Sequence, residues 1–296
     1  MLPILVTGAT GRLGRAVVDQ LVNANANVPV RALTRRPNSA ELPTGVEIVS
    51  GDFTVPESLD AALDGVGTVF LLWTAPPSAL PAALERLAER VRRIVFLSSP
   101  HQTPHPFFQQ PNPMAALHAD IERRIAGTGL ESTLLRPGIF ASNALHWWAA
   151  SIREHGVVRW PYGKAETAPL DERDLASVAA RVLIEDGHEG KDYVLTGPES
   201  LSQADQVRVI GAVLARHIRF EELSPDEFRR ETAGSWPSAV VDMLLAAWDA
   251  TLDHPAYVTS TVSDVIGSPA RTFRQWATDH VSAFAGARND TRLQSL

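Results

Sequence analysis

Gly8, Gly11 and Gly14 stand three residues apart in the run Thr7-Gly8-Ala9-Thr10-Gly11-Arg12-Leu13-Gly14, directly after the apolar stretch from Pro3. A turn built this way suits a pyrophosphate. Gly8 permits the tight exit from a strand, Gly11 lets backbone amides approach the anion, and Gly14 lets the next helix pack close on the strand. The helix N-terminus then faces the charge. In isolation the spacing marks only a glycine-rich turn. Its place between a first strand and a first helix is what points to a dinucleotide, with Thr7, Gly8, Thr10, Gly11, Arg12 and Leu13 as the contact set.

The second strand decides which dinucleotide. An NAD site sets Asp or Glu at its end to bind the ribose 2′-hydroxyl. This chain has Leu33-Thr34-Arg35-Arg36-Pro37 there, and no acid lies between Asp19 and Glu41. Arg35 and Arg36, with Arg12, suit a 2′-phosphate through their planar forks, so NADP(H) is favoured over NAD(H). The alternative is a solvated arginine pair. Asp52 follows the third strand, where a carboxylate can accept from the adenine amino group with Phe53 against the ring; an Asp turn signal is the other reading. Leu72 and Trp73 end the fourth strand, where loops line the cofactor crevice.

The elements that must position these residues are legible as an alternation. Apolar strands are expected at Pro3 to Thr7, Val28 to Leu33, Val46 to Val49, Thr68 to Leu72, Arg93 to Leu97 and Ser132 to Leu135. Helices are expected at Arg12 to Asn23, Pro81 to Arg90 and Ala115 to Ala126. Unbroken apolar strands alternating with helices imply an α/β fold, a Rossmann-type doubly wound parallel sheet covered on both faces. After about residue 140 the pattern changes. Trp147 and Trp148 lie in a helical stretch, His155 to Pro161 reads as a short strand, and Asp171 to Glu185 as an amphipathic helix with an acidic first turn. Residues 202–250 read as mostly helical, with a short strand near Ile218 to Phe220. The expected division is a dinucleotide-binding core over 1–140, with 165–195 packing back onto it. A smaller C-terminal α/β lobe spans 141–164 and 196–288, and 289–296 forms a frayed tail.

Composition bounds the rest. The 296 residues are 45% hydrophobic and 21% charged, as in ordinary globular chains. A net charge of −7 argues against nucleic acid or an anionic membrane as partner. There is no cysteine, which excludes disulfides, thiolate metal sites and cysteine nucleophiles. No apolar stretch approaches the roughly 20 residues of a membrane span, and no basic segment precedes an apolar leader. A cytoplasmic protein, monomeric or homodimeric, is expected. His101 and His105 lie four apart, but their loop is too rich in proline for a helix, and no metal site is expected.

Taken together, the motifs resemble the NmrA-like group of atypical short-chain dehydrogenase/reductases. The resemblance rests on TGATGRLG, ALTRRP, GDF, VFLSS and above all the run HADIERRIAGTGLESTLLRPGIFASN from His118 to Asn143. DERDLA from Asp171 and YVLTGPESL from Tyr193 extend it over nearly the whole chain. The branches closest in character are the NADPH-quinone oxidoreductases, triphenylmethane reductase and the festuclavine dehydrogenases. The resemblance implies NAD(P)(H) in the crevice, with Pro137, Gly138 and Ile139 passing the nicotinamide. It places Trp73, Phe140, Asn143 and Trp147 around the substrate and His118 at the cofactor.

Ordinary members of the wider family use a Tyr-x-x-x-Lys pair, the tyrosine giving a proton. Lys164 and Lys191 are the only lysines here, and neither follows a tyrosine at that spacing. His118 takes the lysine's place and Met114 the tyrosine's. Hydride delivery to a strong electrophile remains: a quinone, an iminium ion or another conjugated acceptor. His118 is then a candidate proton donor or only a cofactor ligand, and Glu122, one turn on, either orients its ring or pairs with an arginine. Ser98 and Ser99 end the fifth strand, where the wider family keeps a catalytic serine. Phe107, Phe108, Trp147 and Trp160 suggest an apolar pocket for a small hydrophobic or aromatic substrate, though each suits a core equally well. The expectation is an NADPH-dependent reductase; a dinucleotide sensor without turnover is the alternative.

Overall fold

The computed structural model describes residues 2–24 and 28–285. The expected tail at 289–296 lies outside the described residues. The strands are β1 Ile4–Val6, β2 Val30–Thr34, β3 Glu47–Ser50, β4 Thr68–Leu71, β5 Arg93–Leu97, β6 Glu131–Pro137, β7 Val157–Pro161, β8 Glu166–Thr167, β9 Asp192–Leu195, β10 Leu201–Ser202 and β11 Arg219–Leu223. The helices are α1 Arg12–Asn23, α2 Leu59–Leu63, α3 Leu80–Arg90, α4 Pro113–Gly127, α5 Asn143–Trp147, α6 Ala149–His155 and α7 Glu172–Ile184. They continue as α8 Gln203–Val213, α9 Pro225–Thr232, α10 Ser238–Asp249, α11 Thr261–Ile266, α12 Phe273–Asp279 and α13 Val281–Phe284.

Seven strands form one sheet in the order β3-β2-β1-β4-β5-β6-β9, every neighbour parallel. The order reverses between β1 and β4, which is where an open α/β sheet opens its crevice. The architecture is the expected Rossmann-type fold. One face of the sheet is covered by α1 and α7, whose buried Val17, Val18, Leu21, Leu175, Val178, Ala179 and Val182 share a core with Val6, Phe70 and Leu135. On the other face Leu59, Leu63, Leu80, Leu84, Leu87, Ile121 and Ile125 pack against Leu5, Val69, Ile94 and Phe96. Each such side chain contributes roughly 1.5–3 kcal/mol by leaving water. The return of 165–195 to the sheet is borne by α7, and Arg93 ties the two: its guanidinium, buried under β5, donates to the Val182 and Glu185 carbonyls at the end of α7.

Beyond residue 140 a separate aromatic cluster holds the remaining elements together. Trp148, Trp160, Trp248, Phe228, Phe273, Trp276 and Phe284 form its centre. There β7 pairs with β11 in parallel, and β8 with β10 in antiparallel. Three features differ from expectation. A seventh sheet strand, β9, occupies 192–195, where the alternation of Asp192, Tyr193, Val194 and Leu195 was too short to declare itself. The segment from Thr261 to Phe284 folds into three short helices. Trp148 interrupts the helical stretch between α5 and α6 with a non-helical φ of −126°. No helix among the described residues is long and apolar enough to cross a membrane.

Candidate active site

All the candidate motifs leave the sheet at the carboxyl ends of its strands, and most of them border a single cleft of about 720 Å³. The turn after β1 forms its floor. Gly8 adopts φ +64°, the left-handed region that favours glycine. A Cβ on Gly14 would sit 2.2 Å from the Gly8 carbonyl oxygen, so only glycine lets α1 come this close to the strand. Gly11 donates to that same oxygen at 2.9 Å and caps α1 in extended conformation without a side-chain partner. No acid stands in the first turn of α1. Its uncapped N–H groups and dipole therefore face the cleft, the donor set a pyrophosphate requires. Glycine clearance and free donors together fit a dinucleotide.

Arg35 and Arg36 are exposed on the cleft rim after β2, where the Thr34 hydroxyl accepts from the Arg36 amide at 3.1 Å. Nearby Arg15 and Arg31 pair with Asp19 and Glu47, whereas Arg35 and Arg36 form no ion pair among the described residues. Arg12 borders the cleft too but reaches Glu172 Oε1, in the first turn of α7, at 3.6 Å. Asp52 Oδ1 accepts from both the amide and the hydroxyl of Thr54 at 2.8 Å. Those bonds, with Arg35 nearby, hold its carboxyl below the usual range. Phe53 faces the cleft from the same turn, and Leu72, Thr74, Ala75 and Pro76 close it after β4.

Two expected contacts turn elsewhere. Thr7 is fully buried; its hydroxyl accepts from the Leu72 amide at 2.7 Å and faces the Phe70 and Leu72 carbonyls, latching β1 to β4. Trp73 is also buried and stacks on Phe53 with centroids 4.8 Å apart, so it supports that ring rather than bordering the cleft.

The other end of the crevice lies beyond β5 and β6. Ser99, Pro100, His101, Phe107, Phe108, Ile139 and, from α10, Met243, Leu244 and Ala247 enclose about 100 Å³. A smaller recess beside it adds Gly138, Thr196 and Tyr257. The loop carrying Phe107 and Phe108 is pinned by His105: Nδ1 accepts from the Phe107 amide and Nε2–H donates to the Pro255 carbonyl at 2.9 Å. The walls are apolar and aromatic, as expected, but α10 was not foreseen among them. Pro137 ends β6, and Phe140 bridges to Leu170 and packs on the sheet core. Asn143 begins α5 and borders neither cavity. Trp147 packs on Trp148, Trp160 and Trp248 at 5.7–5.8 Å, inside the aromatic cluster rather than facing the crevice. Trp160 is likewise core.

Glu122 pairs with an arginine, not with the His118 ring. Arg136 places Nη2 2.8 Å from Oε2 and Nε 3.0 Å from Oε1, and also binds Asp192. Of the two serines that end β5, Ser98 donates to Glu122 Oε1 at 2.5 Å and is thereby occupied. His118 lies one turn along α4 from Ala115, which borders the cavity; its own ring is edge-on to Phe96. Its Nδ1 is buried without a partner among the described residues. Burial lowers its affinity for a proton against the pull of Glu122, and His101 adds to the effect.

Residues 8–186 match a family model described as NAD(P)H-binding. The chain is 38% identical to a (4-alkanoyl-5-oxo-2,5-dihydrofuran-3-yl)methyl phosphate reductase of Streptomyces griseus, over 95% of this chain and 99% of that one. It is 33% identical to an NAD(P)H azoreductase of Xenophilus azovorans, over 96% and 100%. Among solved structures, the NADPH complex of an Escherichia coli NADPH-dependent quinone oxidoreductase superposes with a TM-score of 0.79 at 26% identity, over 94% and 99% of the two chains.

Proposed function

The chain belongs to the NAD(P)H-binding family, among its NmrA-like oxidoreductases, and from that premise we propose that it carries a hydride from NADPH to a conjugated electrophile such as a quinone or an unsaturated lactone. The observation that carries the reading is that two cavities open at the carboxyl ends of one parallel sheet. One offers anion donors and unpaired arginines, and the other aromatic walls at the ends of β5 and β6. Bound in that crevice, a reduced nicotinamide supplies the hydride.

The residues divide the work. The N–H groups of Arg12 and Leu13 would hold the pyrophosphate, and Arg35 and Arg36 would clamp the 2′-phosphate. Phe53, braced by Trp73, lies against the adenine. Ile139 passes the nicotinamide. Phe107, Phe108 and Leu244 hold a flat apolar acceptor and exclude water. His118, which burial keeps neutral, hydrogen-bonds the cofactor rather than surrendering a proton. A chain without the tyrosine–lysine pair suits acceptors already electrophilic enough to take a hydride.

The reading is supported by relatives whose names describe reduction of azo, quinone and dihydrofuranone compounds. The test is steady-state loss of the reduced-nicotinamide absorbance with a panel of quinones, enones and iminium ions, NADPH against NADH. Turnover with NADPH exceeding that with NADH is expected. Tight binding with no turnover by any acceptor would favour a sensor instead.

A further inference from the structure

Two polar groups on the cavity wall after β5 are not consumed by the fold. The Ser99 hydroxyl is buried with no hydrogen-bond partner among the described residues, which is costly unless a ligand supplies one. His101 is held at one ring nitrogen and leaves the other unbonded. Nδ1 lies 3.0 Å from the Ser99 carbonyl oxygen, and an acceptor there requires Nδ1–H. Nε2 lies 3.6 Å from Glu122 Oε2, a carboxylate already clamped by Arg136 and Ser98. Each nitrogen thus faces an acceptor. At 3.6 Å no hydrogen bond forms. Nε2 is turned toward the carboxylate without bonding to it and remains free for an atom in the cavity.

We propose that His101 is the proton donor of the reduction, with the Ser99 hydroxyl as second donor to the same acceptor atom and Glu122 as the residue that positions the ring. The inference rests on the reductase reading. The acceptor gains a hydride from the reduced dinucleotide and a proton from His101 Nε2. The new O–H bond uses the electron pair released from the acceptor's π system. The broken N–H pair stays on Nε2, and water returns the proton to the ring.

Two acceptors separate proton delivery from hydride delivery. A quinone needs both, whereas a cationic triarylmethane dye needs the hydride alone, because its neutral product has no new O–H bond. In His101→Ala and His101→Gln, quinone turnover at saturating NADPH is expected to fall ~10²-fold, the scale of general acid catalysis. Dye reduction falls far less than quinone reduction, and the NADPH Kd stays unchanged. A phenol, shaped like the product, binds the nucleotide-free protein less tightly in His101→Ala. His101→Gln restores that binding, since its amide donates a hydrogen bond but has no proton to transfer. Parallel losses on both acceptors, an unchanged quinone rate or an unchanged phenol Kd in His101→Ala each overturn the assignment. A wild-type protein that binds NADPH and reduces neither acceptor contradicts the reductase reading itself.

Discussion

At the scale of single residues, the proposed preference for NADPH rests on Arg35 and Arg36. They sit on the cleft rim, exposed, while their neighbours Arg15 and Arg31 are paired. A charge-assisted bond to phosphate contributes roughly 1.5–3 kcal/mol, so Arg35→Ala/Arg36→Ala should weaken NADPH about 10- to 100-fold or more. NADH binding should barely change. Calorimetric titration of both nucleotides checks this, and equal losses would remove the 2′-phosphate from the account. The glycine turn was legible because its chemistry is written in residue type: Gly14 is required by a 2.2 Å approach that any Cβ would violate. Thr7 and Trp73 were not. A threonine at the end of a strand looks alike whether its hydroxyl faces a ligand or, as here, the Leu72 backbone. His101 was legible only as a failed metal pattern, because its partner Glu122 lies on a different element.

Helix α4 shows how an element couples stability to the site. It offers Glu122 to Arg136 of β6 and to Ser98 beyond β5, and through Arg136 it reaches Asp192 of β9. Removing one partner of a buried pair costs about 3–5 kcal/mol because the other is left charged in the interior. Arg136→Met should therefore unfold at markedly lower denaturant. Arg136→Met with Glu122→Leu should recover much of the loss; a double variant as unstable as the single would show that the pair is not the cause.

The same helix carries a pH signature. The folded His118 ring binds its proton more weakly than its ordinary value of 6.5, so between the folded value and 6.5 the unfolded chain holds more protons. Stability attributable to His118 is then complete above about 6.5 and eroded on acidification. His118→Gln should show a shallower fall in Tm below that pH, with His188, also depressed by burial, left as common background. An unchanged slope would mean that His118 does not sense the folded interior. The helix itself was readable from its period, but the direction of Glu122 was not, since one face of α4 meets both a histidine and an arginine.

At the scale of the whole molecule, one sheet supplies the crevice and a second core closes it. The strand alternation announced the sheet, since runs such as Ile94-Val95-Phe96 admit few other structures. The aromatic cluster beyond residue 140 was harder to place. A small core needs large side chains, and Trp147, Trp148 and Trp160 fill it, although the same residues would suit a substrate wall. The helices after Thr261 are short and broken by Gly267 and Pro269, so no sustained period marked them. What α10 brings back to the crevice, Met243, Leu244 and Ala247, completes an apolar chamber opposite Ile139. That closure is the physical basis for a protected hydride transfer. Its most direct test uses NADPH labelled with deuterium at C4 and an unsaturated lactone, with the product examined by mass spectrometry. The account expects one deuterium on a carbon of the reduced product, from one face of the nicotinamide only. NADPH that stays bound and unoxidised, or a product that carries no label, would contradict it.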